Sequence, residues 1–100
     1  MVNSELFRQI ADRIERNPSE YNQDRWRRDF QGDAACIFCI AQEILGLIIG
    51  DEDATIKEMG LGRKDALKLW HWTWKPKPEY TVPQALRLIA DGKSVAEVSA

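Results

Sequence analysis

The sequence predicts one all-α domain that spans residues 1–100. Apolar residues recur with helical spacing in several segments, and proline, glycine or capping residues separate these segments. Strict period-two alternation does not extend over any useful length, so strands are at most marginal. A chain of this size can bury a core of its own. We therefore expect a compact domain of five to six short helices around a central hydrophobic helix, at about residues 34–49.

The first predicted helix runs from Ser4 to Arg16. Its apolar residues share one face at helical spacing: Leu6, Phe7, Ile10, Ala11 and Ile14. Asn17 and Pro18 end it, because the residue before a proline is forced out of the helical region. The following segment, residues 19–30, is predicted to be a turn or short helix that carries Tyr21, Trp26 and Phe30.

The central helix is apolar over more than half of its circumference, so it needs partners on more than one side. A narrow polar or small-residue arc remains, made of Cys39, Gln42, Glu43 and Gly46. The same angular placement puts Cys36 at the edge of the apolar arc. We expect Cys36 to lean on the core and Cys39 to lie in a seam that either receives another helix or opens to solvent.

Two further helices are predicted between the central helix and a proline-rich link. The first covers residues 54–59, is capped by the acids of residues 51–53 and ends at Gly60. The second covers residues 63–71, and we expect Ala66, Leu67 and Trp70 to face inward. The segment Lys75-Pro-Lys-Pro78 then forces an extended connection.

Two capping boxes predict the last two helices. Thr81 and Gln84 have the spacing in which each side chain caps the other's backbone, with a proline in the first turn. This helix ends at Asp91-Gly92. Ser94 and Glu97 repeat the pattern and open a short terminal helix.

Composition excludes several classes of protein. The net charge is −2, so no global field favours nucleic acid, which we regard as an unlikely partner. The longest apolar stretch, residues 34–50, contains Gln42 and Glu43 and is too short to cross a bilayer. Two cysteines three residues apart indicate a reducing compartment rather than a secreted disulfide scaffold. We expect a cytoplasmic protein that does not associate with membranes.

Cys36 and Cys39 are the first candidates for chemistry. Because they lie on an apolar helix that no strand precedes, we favour a role as small core residues. The alternative is a cysteine-dependent hydrolase or thiol enzyme that uses Cys39 or Cys36 with His71, and Gln23 for the oxyanion. A zinc site would need Asp33 beside Cys36, Cys39 and His71, since structural zinc takes four ligands. We expect neither a metal nor a cofactor.

An aromatic and basic tract, residues 70–80, is the densest unusual feature of the chain. Its candidate binding residues are Trp72, Trp74, Lys75, Lys77 and Tyr80. Such a tract can anchor a protein partner, or it can stack bases and touch phosphates. It can also cover the core with its tryptophans. Because no convincing catalytic set accompanies the tract, our leading hypothesis is a non-enzymatic protein-binding module that acts through it and neighbouring acids. A weak nucleic-acid binder is an alternative.

Four short motifs occur in a fixed order along the chain: Tyr21-Asn-Gln-Asp-Arg-Trp26, Cys39-Ile-Ala41, Gly60-Leu-Gly62 and Thr81-Val-Pro-Gln-Ala85. In this order the chain resembles a group of small uncharacterised helical proteins of bacteria and their phages. The first cysteine of that group's pattern falls on Ala34, whereas this chain carries Cys36. The resemblance implies a helical fold and a bacterial or phage origin. It supplies no mechanism. The specific form of our leading hypothesis is an anti-CRISPR-like inhibitor of a host or defence protein, borne by a phage or mobile element.

Overall fold

The computed structural model describes residues 2–22, 36–47, 52–71 and 73–100. Helices account for the regular structure of these ranges, and no β-strand occurs in them, which confirms the all-α prediction. The helices are α1 (Ser4–Arg16), α2 (Ile37–Leu45), α3 (Glu52–Met59), α4 (Arg63–Trp70), α5 (Val82–Ala90) and α6 (Val95–Val98), with one 3-10 turn at Pro18–Glu20. In this part of the chain, no helix has the length and apolar character needed to cross a lipid bilayer.

Helix α1 begins and ends at the predicted residues. The Asn3 side chain caps it by accepting a hydrogen bond from the Leu6 backbone N–H at 3.1 Å. The five apolar residues of its predicted stripe are all buried. This stripe packs against α5, and the two helices form the most extensive helix pair of the described structure. The α1–α5 pair is therefore one half of the core.

Helix α2 is shorter than predicted but occupies the predicted central place. It ends at Leu45 because Gly46 adopts a left-handed conformation with φ of 71° and closes the helix. All six residues from Ile37 to Gln42 are buried. The helix contacts α1, α3 and α4, which explains why no face of its first two turns reaches solvent. Residues 34, 35, 48 and 49 of the predicted helix lie outside the described residues.

The polar seam of α2 is closed by another helix. Cys39 and Gln42 are both 0% exposed. The Gln42 Nε2 donates a hydrogen bond to Thr55 Oγ1 of α3 at 3.0 Å, inside the core. Glu43, one residue further along, stays at the surface and pairs with Arg13 of α1. The seam therefore receives α3 at Gln42, whose buried amide has a hydroxyl partner, while Glu43 and Gly46 of the seam stay at the surface.

Helix α4 is oriented differently from the prediction. Ala66 and Leu69 are buried, whereas Leu67 is 41% exposed. The predicted inward position of Leu67 is wrong because Ala66, Leu69 and Trp70 form the i, i+3, i+4 stripe, and Leu67 lies about 100° around the helix from the centre of this stripe. The Trp70 ring stacks on Phe38 of α2 with ring centroids 4.5 Å apart and an interplanar angle of 9°. This stack fixes α4 against the central helix.

The C-terminal residues are tied to the proline-rich link. Both predicted capping boxes are present, at Thr81 with Gln84 and at Ser94 with Glu97. Pro76 and Ser99 form an isolated antiparallel bridge. On either side of it, the Lys77 N–H donates to the Val98 carbonyl at 2.9 Å, and the Ala100 N–H donates to the Lys75 carbonyl at 3.1 Å. The link is held in an extended path by these bonds.

The orientation of α4 predicts different losses of stability when its two leucines, Leu67 and Leu69, are each replaced by alanine. Leu69→Ala should lower the free energy of unfolding by about 2–5 kcal/mol, since it opens a cavity in the core. Leu67→Ala should change it by less than about 0.5 kcal/mol, as for other surface substitutions. Urea unfolding followed by far-UV circular dichroism measures both values. Equal losses for the two variants would contradict the orientation described above.

The closed seam predicts a cost for removing the Thr55 hydroxyl. Thr55→Val keeps the side-chain shape but deprives the buried Gln42 amide of this acceptor, so stability should fall by about 1–3 kcal/mol. Thr73→Val at an exposed position is the matched control and should stay within about 0.5 kcal/mol. Chemical denaturation of both variants provides the comparison. If Thr55→Val left the free energy of unfolding unchanged, the bond between Gln42 and Thr55 would not be what holds the seam closed.

Candidate functional site

The two cysteines form a buried pair at the start of α2. Cys36 is the N-cap residue, and its Sγ lies 3.5 Å from the Sγ of Cys39. Both are free thiols, and both are buried. The hydrogen bond to Cys39, together with burial, raises the pKa of Cys36 far above the usual thiol range. A thiol held protonated and away from solvent is a poor nucleophile, so the geometry favours a structural role.

Tyr21 belongs to the surroundings of this pair. Burial raises the pKa of its phenol above the usual range, and the charge of a Cys36 thiolate raises it further. Both groups are therefore stabilised in their neutral forms. The environment at the start of α2 disfavours negative charge.

The remaining parts of the predicted thiol-enzyme and metal sets are placed as follows. His71 is exposed where α4 ends, and its Nδ1 is 2.7 Å from the Thr73 hydroxyl and accepts the Thr73 backbone N–H at 3.2 Å. Gln23 and Asp33 lie outside the described residues. Within those residues, no group of three or more His, Cys, Asp or Glu side chains could hold a metal ion. Of the residues predicted for a thiol enzyme or a zinc site, the structure shows Cys36 and Cys39 in contact with each other.

The aromatic and basic tract is divided between the interior and the surface. Trp74 is 7% exposed, and its indole N–H donates to Ser99 Oγ at 2.9 Å. Because the C-terminal residues cover this ring, Trp74 does not present it to a partner, contrary to the expectation of an exposed tract. Lys75 is exposed, while Lys77 and Tyr80 are half-buried. Trp72 lies outside the described residues.

Most arginines of the described surface are paired with carboxylates. Arg87 bridges Asp12 at 2.7 Å and Glu15 at 2.9 Å, which ties α5 to α1. Its guanidinium lowers the pKa of Glu15. The other ion pairs are Arg8 with Asp91, Arg13 with Glu43, Arg63 with Asp53 and Lys93 with Glu97. These pairs join neighbouring elements and occupy the cations on that part of the surface.

The lysines of α4 and of the link differ from this pattern. Within the described part of the chain, no carboxylate lies in ion-pair range of Lys64, Lys68, Lys75 or Lys77. Lys57 of α3 likewise has no carboxylate of the described residues in ion-pair range. Four cations in fourteen residues of chain are therefore available to another molecule.

Leu67 lies among these cations. Among the described residues it is the one large hydrophobic side chain that is clearly exposed. Lys64, Lys68 and His71 lie to one side of it, within an arc of about 100° around the helix, so Leu67 forms the edge of this arc. We name these four residues the α4 face. The sequence shows the i, i+4 spacing of Lys64 and Lys68, but it does not show that Leu67 is exposed or that these lysines lack ion-pair partners.

No family model, curated protein or solved structure matches the chain.

The burial of both thiols predicts slow modification in the native state. A mild aromatic disulfide reagent at neutral pH should label neither Cys36 nor Cys39 until the protein is denatured, when both should react. A Ser19→Cys variant, at an exposed position, provides an accessible thiol for comparison and should react at once. Labelling of the native cysteines as fast as this added thiol would contradict the buried arrangement.

The raised pKa of Cys36 predicts a loss of stability at alkaline pH. The folded state keeps the thiol proton after the unfolded chain has lost it, so this contribution is complete below the unfolded pKa of about 8.5 and declines above it. Urea unfolding at a series of pH values should show this decline. It should be shallower in Cys36→Ala, and an unchanged slope in that variant would remove Cys36 as its source.

Proposed function

We propose that this protein is a non-enzymatic protein-binding module whose contact surface is the α4 face together with Lys75 and Lys77. The partner is a protein surface rich in carboxylates that also offers a small apolar pocket. The observation that carries this proposal is the coincidence of an exposed leucine with lysines that lack carboxylate partners. The buried cysteine pair contributes to the core and takes no part in this contact.

The charges on this surface suit recognition of an acidic partner. Lysines without ion-pair partners attract carboxylates of another protein, which steers encounter and fixes orientation more than it adds affinity. The paired arginines elsewhere on the molecule are already neutralised by their own carboxylates. The unpaired cations therefore set the direction from which an acidic protein approaches.

Leu67 supplies the apolar part of the contact. A leucine moved from water into a pocket contributes about 1.5–3 kcal/mol, which is the size of an interface anchor surrounded by polar contacts. Its helix is rigid at this point, because the Trp70 ring stacks on Phe38 one turn further along. Little ordering is therefore required when a partner binds α4.

The same surface is less suited to nucleic acid. Single-strand binding uses exposed aromatic rings as stacking platforms, and the Trp74 ring is covered by the C-terminal residues. The Leu67 side chain of the α4 face offers no hydrogen-bond donor or positive charge to a phosphate. The net charge of −2 also provides no general attraction to a polyanion.

The specific form of this proposal is an inhibitor, carried by a phage or mobile element, of a host or defence protein. The resemblance to small bacterial and phage proteins supports the origin in a phage or mobile element, and the α4 face is the surface with which such an inhibitor would contact its target. A module of this kind acts by occupying a surface that its target needs. Its location would then be the bacterial cytoplasm, where such targets occur.

Affinity capture from nuclease-treated bacterial lysate tests the proposal. The immobilised protein should retain a specific partner, and both Leu67→Ala and the double variant Lys64→Glu/Lys68→Glu should lose it. The charge reversal should weaken binding at least tenfold, since two attractions become repulsions. Quantitative mass spectrometry of the retained proteins measures the loss.

Lys57→Glu is the matched control for the charge reversal, because Lys57 is also exposed and unpaired but lies on α3. It should retain the partner, and all variants should keep the helical circular dichroism signal. A partner held equally by wild type and both α4 variants would refute the proposed surface. A parallel capture from untreated lysate that is lost when nuclease is added would instead assign the lysines to nucleic acid.

A further inference from the structure

A second candidate binding site is a groove beside α5, and neither the α4 face nor Lys75 or Lys77 contributes to its lining. It has a volume of about 380 Å³, which is the lower part of the range for ligand pockets. Its lining comes from Glu79 and Tyr80 of the link and from Gln84, Arg87, Leu88 and Asp91. None of the α4 face residues belongs to it, so the two surfaces are separable by mutation.

The groove has an apolar centre. Tyr80 and Leu88 are half-buried and rest on the core, so each exposes part of its side chain to the groove. Tyr80 is also held in place by its backbone N–H, which donates to the Lys77 carbonyl at 2.9 Å. An apolar side chain of a ligand can be covered by these two residues without moving them.

Ion pairs to α1 fix the side of the groove that is formed by Arg87 and Asp91. Arg87 is occupied by Asp12 and Glu15, and Asp91 is occupied by Arg8 at 3.0 Å. These residues therefore shape the wall and are not available as charged ligands. A wall held by bonds between two helices needs little reorganisation on binding.

Two polar groups of the groove have unused hydrogen-bonding capacity. The Glu79 carboxylate is exposed and has no cation within ion-pair range in the described residues. The Gln84 Oε1 accepts the Thr81 N–H at 2.8 Å, which leaves the amide NH₂ free to donate. The groove thus offers one anionic acceptor and one neutral donor beside an apolar centre.

The groove carries an excess of negative charge. Its lining holds two carboxylates, Glu79 and Asp91, against one guanidinium, Arg87, and Glu79 is the one of the three that has no ion-pair partner in the described residues. Its sign is opposite to that of the α4 face. A ligand for this groove is therefore cationic, whereas the partner of the α4 face is anionic.

We infer that the groove binds a short basic peptide segment of another protein. An apolar side chain of the segment lies between Tyr80 and Leu88, and a neighbouring lysine or arginine pairs with Glu79. A backbone carbonyl of the segment accepts from the Gln84 amide. This site does not depend on the α4 face, and it gives the module a second contact of opposite charge.

Titration of the ¹⁵N-labelled protein with the peptide acetyl-Gly-Arg-Leu-Lys-Gly-Gly-amide tests this inference by NMR. Amide shifts should concentrate in residues 79–91 at peptide concentrations up to about 1 mM, the range expected for so small a ligand. A peptide with glutamate at both basic positions should give no such shifts. Replacing the peptide leucine by alanine should weaken binding.

Two variants locate the contact. Glu79→Lys should weaken binding of the basic peptide about fivefold, because an exposed attraction is replaced by repulsion. Glu52→Lys makes the same charge change on α3 and should have no effect. In Leu88→Ala, the difference between the leucine and alanine peptides should shrink, provided that the helical signal is retained.

Three results would overturn the inference. They are equal binding of the basic peptide by wild type and Glu79→Lys, equal amide shifts with the acidic peptide, or no amide shifts in residues 79–91. Sedimentation equilibrium addresses one further occupant, a second copy of the chain. A dimer that dissociates in Glu79→Lys would show that the groove serves self-association instead. The Lys64→Glu/Lys68→Glu variant should still bind the peptide, so failure of the α4 proposal leaves this result readable.

Discussion

The burial of α2 is the constraint on which the arrangement of the other helices depends. Because six consecutive residues, Ile37 to Gln42, are excluded from solvent, the helix must be enclosed on every side over its first two turns. The apolar sides are enclosed by α1 and α4. The remaining side carries an amide, which in a dry core is costly unless another polar group meets it. Thr55 meets that requirement, and it thereby determines where α3 lies.

Features that depend on neighbouring residues in sequence were accessible before the structure. The bounds of α1, the two capping boxes and the ending of α5 follow from local hydrogen bonding and backbone preferences, and all are found as predicted. The extent of α2 was overestimated because its apolar pattern continues past Gly46, whose left-handed conformation ends the helix. Capping residues, prolines and glycines thus indicated the ends of helices more accurately than apolar periodicity did.

Features that depend on distant residues were not accessible. The burial of Trp74 requires Ser99, which is twenty-five residues away, to cover its indole. Leu67 belongs to a helix with apolar residues on two sides, and the stacking of Trp70 on Phe38 decides which side faces inward. For the candidate surface, the positions of Lys75 and Lys77 could be proposed from sequence. The contribution of α4 could not, because it required knowing that carboxylates elsewhere pair with the arginines and leave these lysines unpaired.

The antiparallel bridge between Pro76 and Ser99 has a consequence for the entropy of the lysine link. Two prolines already narrow the backbone conformations of residues 75–78, and the bonds on either side of the bridge remove much of the remaining freedom. Fixing a free backbone residue costs about 1–2 kcal/mol. Folding meets this cost in advance, so in the proposed contact only the side chains of Lys75 and Lys77 would remain to be ordered within this link. Residues 98–100 would therefore influence the proposed contact indirectly, because they restrict the backbone of the lysine link without being part of it.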